Sequence, residues 1–125
     1  MTRITNIDRI DITDILNKVA YILDSNEYDR MGEVFADDIR FSNPGRLAAN
    51  GLPELITAFK SLPAPSLSHH ITNILLSGRE DGTVETRCKA LSQRADKSMA
   101  AAEYTDIIKK TAAGWRIAFR TIKPL

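Results

Sequence analysis

The chain has 125 residues, 43% of them hydrophobic and 26% charged, with a formal net charge of +1. That length suits one domain with a sizeable core, here expected to span residues 1–125, and the composition argues against disorder. Charge this balanced, with Lys109-Lys110 the one adjacent basic pair, leaves no electrostatic footprint for nucleic acid. The single cysteine, Cys88, excludes an internal disulfide and fits a reducing compartment. No apolar run approaches the roughly 20 residues of a membrane span, and Met1 to Asp14 is polar where a signal peptide needs an apolar run. A cytoplasmic protein with no membrane or nucleic-acid partner is expected.

Ile12, Ile15, Leu16, Val19, Ala20 and Leu23 fall on one helical face, and Asp11 is placed to cap that helix with Asp14 behind it. Asp24-Ser25-Asn26-Glu27 reads as a capping box opening a second, short helix. Tyr28, Met31, Val34 and Phe35 keep helical spacing, and alternation at Ile39 and Phe41 then marks a strand over Asp38 to Ser42. Asn43-Pro44-Gly45 is a turn, a loop runs to Gly51, and Pro53 sits in the first turn of a third helix. Leu52, Leu55, Ile56, Phe59 and Leu62 make its buried stripe before Pro63-Ala64-Pro65 stops it.

From there the chain alternates or turns. Strands are expected over Ser68–Leu76, Val84–Arg94, Ala100–Lys110 and Trp115–Lys123. Val84, Thr86, Cys88, Ala90 and Ser92 share one face of the second of these. In the last strand Trp115, Ile117 and Phe119 share one face, and Arg116, Ala118 and Arg120 the other. Helices first and hairpin strands later predict an α+β fold, helices packed on one face of a mostly antiparallel sheet.

Two stretches carry a resemblance. Leu23-Asp24, Tyr28-Asp29, Phe35, Asp37-Asp38 and Phe41 match an L-D-x-x-x-[WY]-D…F-x-D-D-x-x-F entry. Tyr104-Thr105-Asp106 and Gly114-Trp115-Arg116-Ile117 match a Y-x-D…G-W-R-I ending. Together they resemble the SnoaL-like branch of the nuclear transport factor 2-like superfamily, across most of the chain. The resemblance implies a curved sheet wrapped around three N-terminal helices as a cone with an internal pocket. It also implies a homodimer formed through the outer sheet face, where Trp115 or Phe119 would contribute unless they fill the core.

Metal chemistry is not expected, because His69 and His70 are adjacent in a strand and point to opposite faces. Neither a Gly-rich phosphate loop nor a G-x-S-x-G elbow is present, which argues against nucleotide binding and Ser-type hydrolysis, and the expected acid–base chemistry needs no cofactor. What remains is acid–base chemistry. His70 is the leading candidate, since its position resembles the family histidine that faces the pocket and moves a proton in dehydratase-like members; His69 would face away. Asp24 has two readings, a cap for the second helix or the carboxylate that orients a histidine, as the matching aspartate does in those relatives. Asp106 is read as a structural bridge to Arg120 or, by analogy with some polyketide cyclases, as a base. Tyr104 and Tyr21 are candidate donors to a substrate carbonyl or half-buried packing. Cys88 is read as a small apolar strand residue, and Asn73 is placed outside the pocket. Compared with the dehydratase-like members, the strand Val84–Arg94 has no second histidine, and Tyr21 stands at a different helical angle from their carbonyl-polarising tyrosine. The expected function is a cofactor-independent dehydratase, isomerase or cyclase acting beside a carbonyl of a small hydrophobic cyclic or polyketide-like substrate. The alternative is a non-catalytic ligand-binding or dimerisation domain of the same fold.

Overall fold

The computed structural model describes residues 3–125. Helix α1 spans Asn6–Asp24 and opens earlier than the apolar stripe suggests. Thr5, not Asp11, is its cap: the Thr5 hydroxyl accepts the Asp8 N–H at 3.0 Å, and the Asp8 carboxylate accepts the Thr5 N–H at 3.2 Å. This reciprocal capping box satisfies two otherwise orphaned donors and carries the helix through a first turn that buries little. Ile12, Leu16, Val19, Ala20 and Ile22 are buried along its inner face.

The expected second capping box is absent. Asp24 ends α1 instead, and Asn26 takes the left-handed conformation (φ 54°). The Glu27 N–H then reaches back to the Ile22 carbonyl at 3.0 Å and the Asn26 N–H to Leu23 at 3.1 Å, the hydrogen-bond pattern of a Schellman stop. A 3₁₀ turn over Tyr28–Glu33 follows without a side-chain cap.

Strand β1 (Phe35–Asn43) turns at Gly45 into β2 (Leu47–Asn50), a short antiparallel strand where the sequence suggested only a loop. Four residues are too few to show a period. Helix α2 (Leu52–Lys60) starts after Gly51 (φ 92°), with Pro53 in its first turn as expected, and Leu62 lies beyond its end. Strands β3 (Ser68–Gly78), β4 (Val84–Gln93), β5 (Met99–Thr111) and β6 (Gly114–Pro124) complete a six-stranded sheet in the order β2-β1-β6-β5-β4-β3. Every adjacent pair is antiparallel except β1–β6. The fold is α+β and cone-like, with the helical segments held against one face of the sheet.

Two irregularities decide which side chains point inward. In β3 the pairing to β4 shifts between Thr72 and Leu75, and Asn73 there has φ 56°. In β6 Ile117 pairs with Ile108 while Phe119 pairs with Ile107, so Ala118 is an extra residue. Each bulge reverses the alternation beyond it. The expected sharing of a face by Trp115, Ile117 and Phe119 therefore breaks. Trp115 and Ile117 enter the core, Phe119 is 48% exposed on the outer face, and Arg120 and Ile122 turn inward.

Candidate active site

The open end of the cone holds a cavity of about 590 Å³. Leu23, Phe41, Leu47, Phe59 and Ile122 give it apolar walls. Phe59 is the hinge of a chain of aromatic contacts, its ring 5.9 Å from Tyr28 and 5.6 Å from Phe41. Tyr28, read from the sequence as an apolar and motif position, lines the cavity and directs its hydroxyl to Asn26 Oδ1 at 2.9 Å.

On one wall stands a histidine–aspartate pair. His69 Nδ1 lies 2.6 Å from Asp24 Oδ1, and the His69 backbone N–H donates to Asp24 Oδ2 at 3.1 Å. The end of α1 meets the start of β3 here, so one carboxylate ties two elements and fixes the ring. Both side chains are largely enclosed. With Nδ1 engaged, Nε2 is the ring nitrogen without a protein partner among the described residues, and His69 lines the cavity.

The histidine is the neighbour of the one expected. His70 is exposed on the outer face, its Nε2 3.1 Å from the Ser68 hydroxyl, and it neither lines the cavity nor meets Asp24. Strict alternation back from Leu76 and Ile74 predicts His70 inside. The bulge at Asn73 moves the inward phase to Ile71 and His69. An asparagine inside a strand run, tolerant of positive φ, is the sequence signal that could have revealed this. Asn73 itself is exposed and outside the cavity, as expected.

Deeper in the cavity, Arg120 is 2% exposed and Asp106 fully buried. They form a two-point ion pair, Nε and Nη2 each 2.8 Å from a carboxylate oxygen. Asp106 is thereby committed to Arg120 and does not line the cavity. Burial weighs against the Arg120 charge, but the adjacent carboxylate outweighs it, so the guanidinium holds its proton more tightly than usual. Arg120 also covers the Tyr104 ring, 4.6 Å from its centroid. Among the described residues its Nη1 has no hydrogen-bond partner, and Arg120 lines the cavity.

Tyr104, 7% exposed, also lines the cavity, and among the described residues its hydroxyl has no hydrogen-bond partner. Burial raises its pKa, with the Arg120 charge acting the other way, so it stays a proton-bearing donor. Tyr21, the other candidate tyrosine, is 75% exposed on the far side of α1 and takes no part. Burial pushes the Cys88 thiol up to about 11, which makes it the inert apolar residue expected. Among the described residues no three histidine, cysteine or acidic side chains converge as a metal site would require.

The chain matches the SnoaL-like domain family over residues 6–121. Solved structures of low sequence identity share the fold. A Novosphingobium aromaticivorans protein, proposed to be an aromatic ring hydroxylase, superposes with a TM-score of 0.85 at 22% identity, covering 98% of this chain and 92% of its own. Another from that organism, proposed to be a scytalone dehydratase, gives 0.79 at 17% identity, with 95% and 85% covered. ActVI-ORFA from Streptomyces coelicolor gives 0.75 at 17% identity, with 93% and 96% covered. No curated protein matches the chain by sequence. No helix is long and apolar enough to cross a membrane.

Proposed function

The chain belongs to the SnoaL-like family, and from that premise we propose that it is a cofactor-independent acid–base enzyme acting beside a carbonyl of a small hydrophobic cyclic or polyketide-like molecule. The observation that carries this reading is the His69–Asp24 pair, presented to an apolar cavity with Nε2 unengaged. In this reading His69 Nε2 removes a proton from the carbon next to the carbonyl. Asp24 balances the imidazolium that forms and holds the ring in one orientation. The electrons move onto the carbonyl oxygen, where the Tyr104 hydroxyl and Arg120 Nη1 are the donors at hand for the developing oxyanion. The proton returns from His69 to carbon for isomerisation, or to a departing hydroxyl for loss of water. For ring closure the enolate carbon attacks a second carbonyl carbon, whose π electrons pass to its oxygen, and that oxygen takes the proton from His69. Asp106 acts through Arg120 and is a positioning residue.

The name of one fold neighbour, proposed to be a scytalone dehydratase, agrees with this class of chemistry without naming a substrate for this chain. The test is deuterium incorporation from D₂O into a panel of bicyclic ketones, followed by NMR. His69→Ala is expected to slow exchange by about 10²–10⁴-fold, and His70→Ala to leave it near wild type. Wild-type exchange in His69→Ala would overturn the assignment. Binding of the ketones without exchange would favour the non-catalytic, ligand-binding reading of the same cavity.

A further inference from the structure

The mouth of the cavity is built from three connections: the β1–β2 turn, the chain between α2 and β3, and the β4–β5 turn. The first supplies Arg46 and the third Arg94, both exposed and both lining the opening. Charge accounting separates them from the rest of the site. Inside, Arg120 is balanced by Asp106 and His69 is engaged by Asp24. At the mouth, Arg46 has neither a side-chain hydrogen bond nor an ion pair among the described residues. The Arg94 side chain donates to the Ser98 hydroxyl at 3.3 Å and makes no ion pair among the described residues, although its charge acts on the nearby Asp96 carboxylate.

One acid, Asp96, also lines the mouth, but its Oδ1 accepts the Ser98 N–H at 2.9 Å and the Ser98 hydroxyl at 2.6 Å, holding it within its own turn. The rim thus carries two cations against one carboxylate. Beneath it lies an apolar volume in which an unpaired anion would be costly. An amphipathic ligand has one orientation that suits both regions: ring system buried, negative group at the rim.

We propose that the substrate is an anion, an apolar ring system bearing a carboxylate or similar group that Arg46 and Arg94 hold at the cavity mouth. This rests on the cavity being the substrate site but not on proton transfer by His69. The two arginines are then specificity residues: they orient the molecule so that its reacting carbon lies below the rim, towards His69. Because they reach the ligand from separate turns, each contributes a partly solvated contact, and the contribution falls with ionic strength.

The experiment compares two fluorescent probes that differ in one group, 8-anilinonaphthalene-1-sulfonate and the uncharged N-phenyl-1-naphthylamine. At low salt the wild-type protein is expected to prefer the sulfonate by about tenfold, with the preference shrinking as NaCl is added. Arg46→Gln with Arg94→Gln should abolish the preference by weakening the sulfonate alone, leaving the neutral probe's affinity unchanged. Arg9→Gln with Arg79→Gln, which makes the same change in net charge away from the cavity, should preserve it. A preference that survives the rim variant, or falls equally in the remote one, overturns the proposal. His69→Ala should keep the preference intact, so a failure of the catalytic assignment and a failure of this one are read separately.

Discussion

Thr86 is fully buried on β4 opposite Asp106, yet its hydroxyl has no hydrogen-bond partner among the described residues. An unpaired buried hydroxyl carries a desolvation cost that a methyl group of the same shape does not. Thr86→Val is therefore expected to leave stability unchanged or raise it by up to about 1 kcal/mol in urea unfolding. A loss larger than that would mean the hydroxyl is satisfied by a buried water. The neighbouring Arg120–Asp106 pair is the opposite case, since each charge is balanced by the other and removing either strands a buried charge at a cost of about 3–5 kcal/mol. Sequence spacing was enough to suggest that bridge. It could not reveal that Arg120 lies inside, because that depends on the extra residue at Ala118.

The helix start and the two bulges are where local pattern and actual element part company. Apolar periodicity locates the buried face of α1 but not its first turn, because Ile7 and Ile10 are exposed and the start is set by polar capping at Thr5. Thr5→Ala is expected to cost about 1 kcal/mol. Asp11→Ala, on an exposed position inside the helix, should change stability by no more than about 0.5 kcal/mol. Thermal melts of the two variants separate the two cap assignments, and equal losses would contradict the structure. The bulge at Asn73 has the larger consequence for the cavity. One left-handed residue chooses which of two adjacent histidines enters the cavity, and so which one Asp24 can meet.

Across the whole molecule, several carboxylates tie elements together. Glu33 joins the 3₁₀ turn to Lys18 of α1, and Asp38 joins β1 to Lys109 of β5. Hydrogen bonds from Arg30 and then Lys18 hold the Glu33 carboxyl at about 2, against an ordinary 4.5. The Lys109 hydrogen bond lowers Asp38, and the Thr5 hydrogen bonds lower Asp8. A carboxyl whose folded pKa is depressed stabilises the fold above its unfolded pKa, and that contribution is lost as pH falls through the folded value. The melting temperature is therefore expected to decline steadily from about pH 4.5 towards about 2. A melting temperature flat across that window, followed by circular dichroism, would show that these contacts add nothing. Each is at least partly exposed, so solvent screening keeps the individual effects small.

Local chemistry made much of the architecture legible. Hydrophobic periodicity separated helices from strands, Pro and Gly marked the turns, and the spaced motifs around Asp24 and Trp115 pointed to the family. These depend on neighbours within a few residues, which a linear chain displays directly. The identity of the site's histidine, the inward turn of Arg120 and the assembly of the cavity mouth depend on strand register and on residues far apart in the chain. Register is chosen by what the whole sheet can bury, and one extra residue in a strand reverses every side chain beyond it. Asp24 and His69 become partners only because α1 lies across β3. The chain carried both groups; packing brought them within 2.6 Å.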